Sequence, residues 1–314
     1  MSAATPSQPT YGGQAVVEGV MIRGERVMAI AVRRPDGEIE THSAPLGVLY
    51  RSLLRRVPLL RGMLVLWETL ALGVRALSWS SGIAAGELGE DGQPPPLRIG
   101  DWAAFAMTMT VAVSIFFAGP VLATAWLDSL LPAGWLVVLV EGALRIALLI
   151  GYFWLIGQSE EIQRIFQYHG AEHMTIHAFE DGALAVDPAN GVVRTGSVAA
   201  VRRFDRAHPR CGTSFLLTVA VVSVAVFLLA GTPDLWLRLA SRVVLIPPVA
   251  ALAYELIRFA GRFPAHPLVH WLFAANLALQ RLTTREPDDE QIQVAVAALG
   301  AAIMEDRAAE ESVA

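Results

Sequence analysis

The chain has 314 residues, a formal net charge of −5 and a pI near 5.8. This acidic balance excludes the broad basic surface that attracts nucleic acid, so no nucleic-acid partner is expected. Hydrophobic residues make up 54% of the chain, charged residues make up only 17%, and the mean hydropathy is +0.48. Ordinary soluble proteins hold roughly 45–50% apolar residues even with glycine included, so the surplus predicts a protein in contact with a lipid bilayer. The single cysteine, Cys211, excludes an internal disulfide.

The N-terminal segment, residues 11–45, has the pattern of β-strands. Two stretches rich in Val, Ile and Met, Gln14–Ile22 and Val27–Arg33, are followed by the turn Pro35-Asp36-Gly37 and by Glu38–His42. They predict a small sheet of two or three strands. The ten residues before this segment hold no basic residue, so no cleavable signal peptide is expected.

The next segment, residues 46–81, predicts a helix at the membrane surface. Arg61, Glu68 and Arg75 recur at intervals of seven in the apolar stretch Leu59–Ser80, which places one charged stripe along a helix. Such a helix lies in the membrane interface, or re-enters the membrane with its stripe packed against protein.

Four further stretches are long and apolar enough to span a bilayer, since about 20 helical residues cross the hydrocarbon core. They fill most of residues 102–157 and 213–261, after a linker at 82–101 that contains three consecutive prolines. The predicted spans are Trp102–Leu127, Trp135–Gly157, Cys211–Pro233 and Val243–Gly261.

Two of the predicted spans contain a charged pair. Glu141 precedes Arg145 by four residues and Glu255 precedes Arg258 by three, the spacings at which side chains meet on one helix face. An unpaired charge inside a bilayer is costly, so each pair is expected to close within its own helix and to face other protein. This favours a role in helix packing over a functional one.

Arginine-rich stretches indicate the orientation through the positive-inside rule. Seven arginines lie within residues 23–56 and six within 164–210, whereas the loop 128–134 has none. We therefore expect both termini, the segment 158–212 and the C-terminal helices of 262–314 to be cytoplasmic in a multi-pass protein of a bacterial inner membrane. The predicted fold is mainly α: four transmembrane helices, an interfacial helix, a small N-terminal β-sheet and a cytoplasmic α-rich domain.

The stretch His169-Gly170-Ala171-Glu172-His173 is an H-x-x-E-H pattern, the inverted form of a zinc-protease motif. On a helix the two histidines stand one turn and about 40° apart, so both imidazoles can reach one Zn²⁺ or another divalent transition metal. Glu172 then lies close to the metal without being a required ligand, which suits a general base. Gly170 weakens the helix and makes a local break possible.

Zinc requires further ligands, and the best candidates are His208 and Cys211, three residues apart at the start of the third predicted span. A thiolate with imidazoles favours zinc. Four protein ligands would indicate a structural metal, and three would leave a position for water and indicate catalysis. His177 is a weaker candidate, and Glu180 is too far along the helix. Glu18, amid apolar neighbours, is either a carboxylate delivered to the metal or a solvent-facing edge residue.

Five stretches carry a resemblance to a known family, and they run from near the N-terminus to the final helix: Gly12–Arg23, Pro58–Gly62, Tyr168–His173, His208–Phe215 and Leu282–Asp289. They resemble the YqhQ-like family of bacterial membrane proteins, which are described as predicted metal-dependent enzymes. The family typically has Lys after the second motif histidine, where this chain has Met174. The resemblance implies a metal site and supplies no substrate.

Three functional hypotheses follow. In the first, the metal site lies at the cytoplasmic face and Glu172 is the general base of a hydrolase that cleaves an ester or amide. In the alternative, the chain is a non-enzymatic scaffold or regulator, in which a metal or polar cluster fastens the cytoplasmic domain to the helices. The N-terminal sheet and the acidic C-terminal helix would then be the surfaces that a partner protein meets. The apolar stripe of that helix, which suits either internal packing or a partner, consists of Ile292, Val296, Leu299 and Ile303. A transporter is a third possibility because of the charged pairs in two spans.

Overall fold

The structure is a computed structural model that describes residues 11–47, 55, 57–86, 99–187, 197–208, 211–260, 263 and 266–312. It is mainly helical, with one antiparallel sheet at the N-terminus. The strands are β1 (Gly12–Val16), β2 (Gly19–Arg23), β3 (Val27–Arg33) and β4 (Ile39–Pro45). The helices are α1 (Leu60–Ala84), α2 (Ile99–Val113), α3 (Gly119–Thr124), α4 (Gly134–Ile156), α5 (Glu160–Glu180), α6 (Ser197–Val201), α7 (Gly212–Ala230), α8 (Leu235–Val244), α9 (Ile246–Ala260), α10 (Pro267–Thr283) and α11 (Asp289–Glu311).

The sheet has four strands in the order β1-β2-β3-β4, where the sequence predicts two or three. The stretch predicted as one strand, Gln14–Ile22, is a hairpin in which Val16 pairs with Gly19 and the chain turns at Val17 and Glu18. Glu18 has a φ of +51°, a conformation that costs energy for a residue with a side chain. Neither turn position holds Gly, Asn or Asp, so the usual sequence signal for a tight turn is missing.

Both faces of the sheet are covered by helices. Alternate residues of β2 and β3 face opposite sides: Val20 and Ile22 join a core with α5 and α11, and Met21 joins a core with α1. The helix α1 contributes Leu72, Ala76, Trp79 and Ile83 to the second core. The predicted apolar stripe of the C-terminal helix, Ile292, Val296, Leu299 and Ile303, is buried in the first core, so it packs against the chain's own sheet.

The C-terminal helix α11 is also fixed to the sheet by one carboxylate. Asp306 accepts hydrogen bonds of 2.8–2.9 Å from the backbone N–H groups of Glu25, Arg26 and Val27. Replacing Asp306 by Ala leaves these donors unpaired, so we expect the free energy of unfolding to fall by about 2–4 kcal/mol. Thermal unfolding of the purified variant measures the loss. Glu310→Ala, which removes an exposed carboxylate from the same helix, is the control; equal melting of both variants would contradict this role.

Two helical stretches are long and apolar enough to cross a membrane, Ile99–Ser129 and Gly134–Ile156. The pair α8 and α9 qualifies as a third if it is one span bent by 46°. Among the described residues this gives two or three candidate spans, where the sequence predicts four; the apolar stretch Phe215–Ala230 of α7 is shorter. The bend falls where Pro247 and Pro248 follow the first residue of α9, because proline cannot continue the hydrogen bonds of a preceding helix.

Of the two predicted charged pairs only Glu141–Arg145 forms among the described residues, and both predicted acids bind an arginine of another helix. Glu141 of α4 accepts from Arg145 at 3.1 Å, as its spacing predicts, and also from Arg242 of α8 at 3.0 Å. Glu255 of α9 binds Arg61 of α1, with its Oε1 2.6 Å from the arginine Nε. These carboxylates join neighbouring helices, which supports a role in packing.

Candidate metal centre

Three predicted ligands converge where α5 meets the start of α7. The helix α5 continues through Gly170, so His169 and His173 stand one turn apart with ring centroids separated by 4.4 Å. Cys211 caps the N-terminus of α7, where its sulfur accepts a hydrogen bond from the backbone N–H of Thr213. One ligand atom from each of the two histidines and the cysteine lies within 4.8 Å of the others.

Both imidazoles are held by backbone carbonyls. The Nδ1 atom of His169 lies 2.8 Å from the carbonyl oxygen of Thr283, and that of His173 lies 2.6 Å from the carbonyl oxygen of Arg206. A carbonyl only accepts, so each Nδ1 carries a hydrogen, and in the neutral ring Nε2 then offers its lone pair to a metal. The Nε2 of His169 is 3.2 Å from the sulfur of Cys211.

The donor set fits zinc. Zn–N bonds of about 2.0–2.1 Å and Zn–S bonds of about 2.3 Å place tetrahedral ligand atoms about 3.3–3.6 Å apart. The contact between His169 and Cys211 has nearly this separation, and no two of the three ligand atoms lie more than 4.8 Å apart, so a small contraction would bring all three to zinc-binding distances. Burial lowers the pKa of His173 well below its ordinary value, with His169 acting in the same direction, so its ring is neutral as a ligand must be. Three protein ligands leave the fourth position open.

Glu172 lies beside the group and is almost completely buried. Its Oε2 atom is 3.4 Å from the Nε2 of His173, and 3% of the residue is exposed. Burial raises the pKa of Glu172 to about 8; His169 and a hydrogen bond from the backbone of Gly13 oppose the rise, while Cys211 adds to it. A carboxyl with such a pKa can both accept and release a proton near neutral pH.

The sheet reaches the site through Gly13 of β1, which the sequence did not single out. A Cβ atom at Gly13 would lie 2.8 Å from Cγ of Glu172 and 2.6 Å from the carbonyl oxygen of Met21. Only glycine allows this approach of the strand to the carboxylate without a shift of one or the other. The strand therefore covers one side of Glu172 and contributes to its burial.

Glu18, the other predicted catalytic carboxylate, lies elsewhere. At the turn between β1 and β2 it forms an ion pair with Arg164 of α5, with 2.6 Å between its Oε2 and the arginine Nη2. It also accepts a hydrogen bond from the hydroxyl of Tyr168 at 3.3 Å. Glu18 therefore joins the sheet to α5 and is not in the His/Cys group.

His208, the fourth predicted ligand, is adjacent to the group, with its ring 5.7 Å from that of His173, but it is not one of the three residues whose ligand atoms lie within 4.8 Å of one another. Its Nε2 atom is 3.4 Å from Oε2 of Glu180, and its ring is 4.4 Å from that of His177. Gln280 holds the backbone of His208 through two hydrogen bonds of 2.8 and 2.9 Å. Burial lowers the pKa of His208 to about 4, so the ring is neutral. His208 and Gln280 thus position the segment that leads to Cys211.

Gly170 keeps α5 close to the segment after α10. A Cβ atom at this position would lie 2.2 Å from the carbonyl oxygen of Arg285. Gly→Ala in a helix is ordinarily stabilising by about 0.5–1 kcal/mol, but here the overlap is expected to lower the free energy of unfolding by about 1–3 kcal/mol. The displaced segment carries Thr283, so metal affinity should fall as well.

Unfolding and zinc titration of Gly170→Ala measure both effects. Gly151→Ala on α4, where a Cβ would meet nothing within 4 Å, is the matched control and should match the wild type or exceed it in stability. A Gly170→Ala protein as stable as this control would show that the close approach is not needed.

Comparison with known proteins places the chain in a family. Residues 57–305 match the family described as "Protein of unknown function (DUF1385)". The chain is 32% identical over 301 residues to "Uncharacterized protein YqhQ" of Bacillus subtilis (strain 168), an alignment that covers 92% of this chain and 90% of that protein. No solved structure matches the chain. The resemblance predicted from the five motifs is confirmed, and the chain belongs to the DUF1385 family as a relative of YqhQ.

Proposed function

We propose that this chain is a multi-pass protein of the bacterial cytoplasmic membrane and a metal-dependent hydrolase. His169, His173 and Cys211 bind zinc, or another divalent transition metal, at the cytoplasmic face, and Glu172 is the general base. One observation carries the proposal: two imidazoles held through Nδ1 and a thiol converge beside a buried carboxylate. Hydrolysis of an ester or amide is the chemistry that suits these groups.

Surface exposure supports a membrane location. The helix α2 is apolar and none of its residues is buried, so in a soluble protein it would face water along its whole length. The two ends of α4 carry Trp135 and Trp154, which are 57% and 60% exposed. Tryptophans at both ends of an apolar helix are typical of the two membrane interfaces. In the four-span arrangement that we propose, α7 and the bent pair α8–α9 are the last two spans, and the arginine-rich segment 164–210 and the metal centre lie in the cytoplasm.

Each group around the metal centre has a separate role in the proposed reaction. Bound zinc supplies a Lewis acid that polarises water or the substrate carbonyl. Glu172 accepts the proton of the attacking water and returns it to the leaving group, as its position beside His173 allows. The carbonyls of Thr283 and Arg206 keep the imidazoles oriented. Cys211 stands at a helix N-terminus, where a thiolate is favoured.

Cobalt substitution tests the ligand set. The metal-free full chain is titrated with Co²⁺, whose bond to a thiolate gives a charge-transfer absorption in the near ultraviolet. We expect one equivalent to produce this band in the wild type and the band to be absent in Cys211→Ser. Cobalt that binds without the band, or a band that survives in the serine variant, would remove Cys211 from the ligand set.

A structural metal in a scaffold or regulatory protein is the second candidate, and one distance favours it. The Oε2 atom of Glu172 is 3.4 Å from Nε2 of His173, so a small shift would make the carboxylate a fourth ligand and close the site. A partner protein would then meet the outer face of α11, because the apolar stripe of that helix packs inside the chain. The two candidates differ in what Glu172→Gln does to metal content.

A further inference from the structure

An open cavity lies beside the segment that follows α10, apart from the metal ligands. It has a volume of about 460 Å³, and its lining includes Arg206, Arg281, Arg285 and Glu286. A neighbouring cavity of about 380 Å³ shares Arg206, Arg281 and Glu286 and adds Asp205, so the charges of its own lining balance and the positive excess belongs to the larger cavity. Two adjoining hollows therefore meet at the same cationic side chains.

The guanidinium groups of this cavity keep most of their hydrogen-bond donors available. Among the described residues, Arg281 has no hydrogen bond or ion pair, and Arg285 donates one hydrogen bond of 3.1 Å to the carbonyl oxygen of Gly157. Arg206 lies 3.8 Å from the carboxylate of Glu286, which is beyond hydrogen-bond distance. Three arginines against one acid leave the lining of the larger cavity with two positive charges in excess.

The other wall of the cavity is apolar and belongs to the end of a candidate span. Phe153, Trp154 and Gly157 come from the last turn of α4 and the residue after it, and Leu282 comes from the last turn of α10. A ligand in this cavity would place an anionic group on the arginines while an apolar part rests against the aromatic rings. Arginine clusters at the end of a membrane span suit phosphate headgroups.

We propose that this cavity binds a phosphate group, either as a free anion or as the headgroup of an anionic lipid. Phosphate fits better than a carboxylate, because a dianion matches two excess positive charges and its three terminal oxygens can each accept from a planar guanidinium. The site is separate from the proposed metal chemistry and does not depend on it. It shares a wall with that centre, because Thr284 and Arg285 follow the residue whose carbonyl holds His169.

Binding is tested on the full chain in neutral detergent micelles by calorimetric titration. One arm uses inorganic phosphate; the other uses mixed micelles that contain dioleoyl phosphatidic acid or, as the control without phosphate, dioleoylglycerol. Saturable binding of inorganic phosphate assigns the site to the free anion, and binding of phosphatidic acid alone assigns it to the lipid headgroup. If neither binds, or if dioleoylglycerol binds as well as phosphatidic acid, the proposal is wrong.

Variants distinguish this cavity from general charge attraction. Arg281→Gln should weaken binding about tenfold, the effect of one lost charged hydrogen bond. Glu286→Gln should strengthen binding, because it removes the acid nearest to Arg206, and this gain cannot arise from misfolding. Arg307→Gln, an equal charge change on the exposed part of α11, is the control and should bind as the wild type does. Equal weakening by Arg281→Gln and Arg307→Gln, or no gain in Glu286→Gln, would overturn the proposal.

Discussion

Replacing Glu172 by Gln is expected to reduce hydrolytic activity about 10²–10⁴-fold while leaving about one metal ion per chain, because general-base catalysis contributes rate enhancements of this size. Gln has nearly the same shape as Glu, but it cannot take a proton from water. Activity is measured on a panel of ester and amide substrates, and metal content is measured on the same preparation.

The matched control is Glu161→Gln, which removes an exposed carboxylate from the first turn of the same helix and should leave activity unchanged. A Glu172→Gln protein with wild-type activity would exclude the general-base role. A protein that loses its metal together with its activity would instead identify Glu172 as a fourth ligand, and the closed structural site would then be the better account.

Loss of both motif histidines is the second large effect. The double variant His169→Ala/His173→Ala keeps one of the three ligands. Zinc affinity should fall by more than about a hundredfold, because loss of a group that only supports a metal ligand can already cost that much. Competition with a chromophoric zinc chelator measures the affinity. The control is His177→Ala, which lies one turn further along α5, outside the group, and should bind zinc nearly as well as the wild type. Equal affinity in the double variant and the control would place the metal elsewhere.

The sequence predicted which side chains come together better than it predicted the contacts around them. His169, His173 and Cys211 were all predicted ligands, since helical periodicity brings the histidines together and the ends of adjoining helices bring the cysteine. His208 was predicted on the same reasoning; its Nε2 contacts Glu180, and it is not in the group although its ring lies 5.7 Å from that of His173. That outcome depends on contacts between distant segments, which spacing along the chain does not encode.

Three further structural features could not be predicted from sequence patterns, each for a different physical reason. The imidazoles are oriented by the backbone carbonyls of Thr283 and Arg206. Every residue has such a carbonyl, so the residue type does not indicate which ones bind a histidine. The hairpin turn at Glu18 lacks the usual turn residues. Glu255 follows the spacing of a pair within one helix, yet it meets Arg61 of α1, because an arginine from another helix can bind the carboxylate through two nitrogens at once.

Elemental analysis of the full chain, purified without chelators and equilibrated with zinc, tests directly whether His169, His173 and Cys211 form a metal site. We expect about one zinc ion per chain in the wild type. We expect a far smaller ratio when His169 and His173 are both replaced by Ala. A wild-type protein that is folded and holds no stoichiometric metal, or a double variant that holds as much metal as the wild type, would contradict a metal site at these residues.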